Sequence, residues 1–173
     1  MGGEWPLMSA YEATAWQNFF VMVGGAAAAL TGLLFVAMSL HSKAIMAHPL
    51  YGTRAVGTLL SLMTQLFVAG TVLIPQSTLA LGIEVEVAAL LSVIQTVWAV
   101  VVTLGTAERR VRSHLRTALE GFGAAIWIVL FVASGISLIA HAGGGLYLLA
   151  AVMPFMFGWN VYVAWVLITE ISD

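Results

Sequence analysis

Apolar residues fill five long stretches of the chain, separated by short breaks rich in polar residues or glycine. A helix needs about 20 residues to cross about 30 Å of hydrocarbon, and each stretch is of that order, so the pattern predicts five transmembrane helices. The first starts readably: Ser9 followed three residues later by Glu12 forms a capping box, in which each side chain satisfies a free backbone N–H. Helix one then runs from Ala10 to about Leu40, with its membrane span from about residue 15. At 1.5 Å per residue that is about 45 Å, longer than the hydrocarbon, so Tyr11 and Trp16 fall in the interface. Helix two covers Thr53 to Ala80, its span about 55–80, and Leu81, Gly82 and Ile83 make a tight turn. Helix three follows from Glu84 to Leu104 (span about 85–104) and helix four from Leu119 to Ala140. His141, Ala142 and the glycines 143 to 145 break the chain before helix five, Leu146 to Ile168.

Composition strengthens this reading. Of 173 residues 61% are apolar and 8% charged, against about 45–50% and about 25% in a soluble domain. Such a chain cannot cover itself with polar surface, so the expected class is an all-α integral membrane protein forming a single domain over residues 1–173. The segment MGGEWPLMSAYEA lacks a basic n-region and a small-residue cleavage site, so helix one is expected to be retained. The absence of cysteine excludes disulfides, thiolate catalysis, iron–sulfur clusters and cysteine-ligated zinc.

Charge adds a topology. Lys43 and Arg54 lie near the first break and Arg109, Arg110, Arg112 and Arg116 near the third, and these are all the Lys and Arg of the chain. The positive-inside bias then sets the N-terminus outside and the C-terminus in the cytoplasm. On that orientation Glu4, Glu12, Glu84 and Glu86 make the outer side acidic.

Polar residues within the spans carry the candidate chemistry. In helix two Gly57, Ser61, Thr64, Val68, Thr71, Pro75 and Thr78 recur in steps of four and three and share one stripe, while Leu59, Met63, Leu66 and Leu73 share the opposite face. Such a stripe either packs closely against another helix or lines a hydrated path, with Gln65 and Gln76 beside it. Helix three repeats the theme with Ala88, Ser92, Thr96, Ala99 and Thr103, and Gln95 lies at the depth of Gln65, which makes an amide–amide hydrogen bond between them the expected pairing. In helix one Gly25, Ala29 and Gly32 form a small-residue stripe suited to a tight crossing within or between subunits. In helix five Pro154 and Gly158 predict a kink, with Asn160 just beyond it, and Trp98, Trp127 and Trp159 would form one aromatic layer.

Near the membrane surfaces, Glu84 and Glu86 are placed to complement the helix-three dipole or, with Glu12, to form an acidic outer mouth in a homo-oligomer. Residues 106–119 suit an amphipathic helix whose Arg109, Arg112 and Arg116 meet anionic lipid or an acidic partner. His41, His48, His114 and His141 have no metal-binding spacing, so neither a metal nor another cofactor is expected, and no nucleophile–base pair points to an enzyme. No nucleic-acid partner is expected either.

The run FFVMVGGAAAALTGLLFVAMS (residues 19–39), a short basic loop and a second helix ending in Ile74, Pro75 and Gln76 resemble a group of uncharacterised bacterial membrane proteins. The resemblance spans about the first half of the chain and implies a bacterial cytoplasmic membrane, with no activity to carry over. Two functions fit the pattern. One is a homo-oligomeric channel or conduit for small solutes or cations, lined by Ser61, Thr64, Gln65, Thr71, Thr78, Gln95 and Asn160 with Glu12, Glu84 and Glu86 at its mouth. The other is a non-catalytic accessory or scaffold subunit of a membrane complex.

Overall fold

The structure, a computed structural model, describes residues 10–47, 49–105 and 114–172. Among them every regular element is helical. The spans are α1 (Gln17–Leu40), α2 (Pro49–Leu73), α3 (Thr78–Gly105), α4 (His114–Ala140) and α5 (Gly145–Ser172), with a 3₁₀ turn at Ala13–Trp16 before α1 and a short helix, Ser42–Ala47, after it. All five are long and apolar enough to cross a membrane, the make-up of a multi-pass membrane protein. We call the end that carries the N-terminal segment the N face and the opposite end the C face.

Several boundaries differ from the sequence reading: α2 starts at Pro49 rather than Thr53, α4 at His114 rather than Leu119, and α5 ends at Ser172 rather than Ile168, and two further differences carry more weight. Ser9 lies outside the described residues, and Glu12 precedes the 3₁₀ turn without a side-chain capping bond, so the α-helix proper begins at Gln17 rather than Ala10. The larger difference is the second break, which falls at residues 74–77 and not at 81–83. Pro75 disfavours helical geometry at Ile74, which stops α2. Ser77 then caps the next helix, its Oγ accepting from the Ala80 N–H at 3.2 Å. Leu81, Gly82 and Ile83 are therefore helical, and Thr78 opens α3 instead of closing α2. On the C face, Pro49 sits at the first position of α2, where its missing N–H costs nothing.

Helix α2 lies centrally, touching α1, α3 and α5, while α4 packs most extensively on α3 and also on α5. Toward the N face one core draws on all five helices, with Phe20, Val72, Val85, Phe131 and Leu149 among its buried members. Toward the C face the buried apolar residues form two small clusters, Leu34–Leu62–Ala164 and Ile45–Ala55–Leu167. The exterior is apolar: Leu33, Phe35, Leu91, Val101, Val129 and Trp165 are among many large exposed side chains. Trp98 is exposed and Trp127 buried, while the Trp159 ring lies against Gly123, so the three tryptophans do not form one layer.

Candidate functional site

Resetting the start of α3 changes what its two carboxylates are. Counted from Thr78 at 1.5 Å per residue, Glu84 lies about 9 Å and Glu86 about 12 Å along the helix rather than at its start. Two residues apart on a helix, they point to different neighbours. The Glu84 carboxylate accepts from Gln76 Nε2 at 2.8 Å, and the same nitrogen donates to the Thr71 carbonyl at 2.9 Å, tying the 74–77 loop to both flanking helices. Glu86 turns to α4. Its carboxyl group occupies the space above Gly135, where an added Cβ would come within 2.5 Å of Oε1. That oxygen is buried and has no hydrogen-bond partner.

The α3–α4 hairpin builds this seat by exchanging small for large along antiparallel turns. Gly82 of α3 faces Ile139 of α4, and one turn on Gly135 of α4 faces Glu86 of α3. A Cβ on Gly82 would meet the Ile139 backbone nitrogen at 3.0 Å and the Gly135 carbonyl at 3.2 Å, so backbone approaches backbone and the glycine serves packing, not a turn. At the N face the hairpin closes through a hydrogen bond between Thr78 Oγ1 and His141 Nε2. His141 holds a left-handed conformation, φ +50°, and Gly143 and Gly144 continue the turn at +86° and +78°. Tyr11 packs its ring on His141 with centroids 5.1 Å apart, and its hydroxyl accepts from the Gly144 N–H at 2.9 Å. The N-terminal segment, the start of α3 and the 4–5 turn thus form one polar and aromatic cap above Glu86. Glu12 is exposed and joins neither carboxylate in the described contacts.

The stripe of α2 is turned inward. Asn160 of α5 is buried and its Nδ2 donates to Ser61 Oγ at 3.0 Å. Gln95 of α3 donates through Nε2 to the Gly57 carbonyl at 2.6 Å. This replaces the expected Gln65–Gln95 pair: Gln65 lies two turns from Gly57 and is rotated away from α3. Thr64 and Thr71 give their hydroxyls to carbonyls of their own helix, Leu60 at 3.0 Å and Val68 at 3.0 Å. Of the candidate path residues, Gln95 thus sits at the α2–α3 joint and Ser61 and Asn160 at the α2–α5 joint, while Thr64 and Thr71 bond within α2, Gln65 is buried and Thr78 belongs to the cap. In α1 the packed side is Phe20, Val23, Gly24, Ala27 and Leu34, with Gly24 close to Ala69 of α2. At Gly25 and Gly32, on the predicted small-residue stripe, an added Cβ would meet no other helix within 4 Å among the described residues.

Comparison with family models, curated proteins and solved structures returned no match. Function therefore rests on the site alone. Among the described residues no three His, Asp or Glu side chains are grouped to hold a metal ion. Arg109 and Arg112 lie outside the described residues, and Arg116 falls in the first turn of α4. What the sequence reading missed is the seat of Glu86. Its signals were Pro75 and Ser77, which mark where α3 begins and so how deep Glu86 lies.

Proposed function

We propose that this chain is a membrane conduit for protons or small cations, and that Glu86 on α3 is the group that meets the ion. The observation that carries the reading is the seated carboxyl with a buried, unpartnered Oε1 about 12 Å into the span. An ionised carboxylate in that setting is costly, so a proton or a cation must complete it. Ionisable side chains within membrane spans characteristically mark ion and proton pathways. Glu84 is already engaged by Gln76 and serves as a positioning group for the loop. The proposal assigns no catalysis. It takes the N face as external and the C face, with the six Lys and Arg, as cytoplasmic, where Arg109, Arg112 and Arg116 would meet anionic lipid.

Flux into liposomes containing the purified protein tests it, read with a pH-sensitive dye and with a monovalent-cation dye. Glu86→Gln is expected to lower flux at least tenfold and Glu84→Gln less than threefold. Equal flux through wild type and Glu86→Gln would sink the reading.

A second reading, an accessory subunit that docks through α1, is favoured by the open stripe at Gly25 and Gly32. Close helix crossings in lipid use such small residues. Gly25→Leu should then break a complex seen by mass in lipid nanodiscs, and electrically silent liposomes would favour this reading over the first.

A further inference from the structure

One turn from the α2–α5 joint, α2 carries a buried polar group that finds no partner among the described residues. Gln65 is completely buried, and neither Nε2 nor Oε1 of its amide has a hydrogen-bond partner. Its position is not arbitrary. Along α2, Gly57, Ser61 and Gln65 follow in steps of four, about 6 Å apart. The first is closed by Gln95 and the second by Asn160; the third is Gln65. Because α5 runs antiparallel to α2, one turn beyond Asn160 brings Met156, also buried, to the level of Gln65. A thioether is only a weak acceptor and gives the amide N–H groups little.

We infer that Gln65 binds an ordered water molecule in the middle of the bundle, bridging its amide to the Asn160–Ser61 pair. A primary amide offers two donors and an acceptor, and a water can accept from Nε2 while donating to Oε1 or to a neighbouring hydroxyl. Ser61 Oγ, one turn away, accepts from Asn160 and has a further lone pair and its own proton available. Two to four polar partners are what a buried water requires, and these groups supply them. The inference is independent of Glu86, which lies on another helix pair.

Solid-state NMR of the uniformly labelled chain in phosphatidylcholine–phosphatidylglycerol vesicles tests it, by transfer of magnetisation from water to side-chain amide nitrogens. The expected result is transfer to Gln65 Nε2 at the mixing time that reaches Gln76, which lies in the partly exposed 74–77 loop. In parallel, Gln65→Leu, which keeps the volume and removes the polar partners, should lower Tm by about 2–4 °C, the equivalent of one bridged hydrogen bond in a chain of this size. No transfer to Gln65 while Gln76 responds overturns the inference. So does a Tm that is unchanged or raised in Gln65→Leu, since that is the behaviour of an amide buried without a partner. If the variant does not fold, the wild-type transfer decides alone.

Discussion

Toward the N face a single core gathers Phe20, Val72, Val85, Phe131 and Leu149 from five helices, and the loops above it are fastened by Tyr11, Thr78 and His141. Toward the C face the buried apolar residues shrink to two small clusters, and two polar bonds, Gln95 to Gly57 and Asn160 to Ser61, join the helices. In lipid, apolar contact between helices gains little over contact with acyl chains, and close packing or hydrogen bonding must hold them together. The N half uses the first means and the C half the second. The carboxyl of Glu86, with its unpartnered Oε1, lies in the N half, where close packing can hold it in a fixed seat.

The most damaging test of the close-packed half is Gly82→Val. The branched side chain would push on the backbone of Ile139 and Gly135, and neither can yield by rotating a side chain. The expected loss is at or above the upper end of the about 1–3 kcal/mol typical of overpacking, read as Tm in detergent micelles. Gly25→Ala is the contrast. Nothing lies within 4 Å of its Cβ, so Tm should hold or rise through the better helix propensity of alanine. Comparable losses for both would mean that proximity in the hairpin is not what stabilises this half.

Smaller effects separate the fastening of the cap from the packing beneath it. Tyr11→Phe keeps the ring on His141 but removes the acceptor of the Gly144 N–H. A loss of about 1–1.5 kcal/mol is expected, the upper part of the range for one neutral hydrogen bond. Ser77→Ala removes the N-cap of α3 and should cost about 1 kcal/mol. Hydrogen exchange at Ala80 and Leu81 should rise in that variant before any exchange appears in α5. Exchange rising uniformly would show that the loop and the core unfold as one unit.

These cases also show what could be read from the sequence. Five spans were legible because uninterrupted apolar length needs no knowledge of neighbours. The second break was misplaced because Gly82 has two physical uses, turning the chain and letting helices approach, while Pro75 preceded by Ile74 has one. Placing Glu84 and Glu86 at the start of helix three followed from that misplacement. Depth along a helix is available from residue number, but the direction in which a neighbour lies is not. Gln65 and Gln95 do not meet: with α2 ending at Leu73 they lie about two turns apart along the bundle, and α2 presents Gly57 to Gln95 and Ser61 to α5. The stripe on α2 is shorter than its spacing suggests, since Pro75 falls in the loop and Thr78 opens α3, and the choice between seam and lining depends on partners that spacing does not give. The Tyr11, Thr78 and His141 cap joins residues up to 133 apart, beyond any local pattern.

The polar-joined half predicts the smallest single effects and the clearest coupling. Asn160→Ala removes the donor to Ser61, but a serine hydroxyl in a helix can turn to the carbonyl one turn back, so little is left unsatisfied. The expected cost is about 0.6 kcal/mol, the average for interhelical hydrogen bonds within membranes. Ser61→Ala leaves the buried Asn160 amide without its partner and should cost more than Asn160→Ala. Because both single changes break the same bond, the double variant should lose less than their sum, and a Tm-based double-mutant cycle in detergent measures the difference. Gln95→Leu should add to either independently, since its acceptor is the Gly57 carbonyl and not Ser61. Strict additivity of Asn160→Ala and Ser61→Ala would show that the bond contributes nothing. The α2–α5 joint would then depend on apolar contact, and the contrast between the two ends of the bundle would be one of degree rather than of kind.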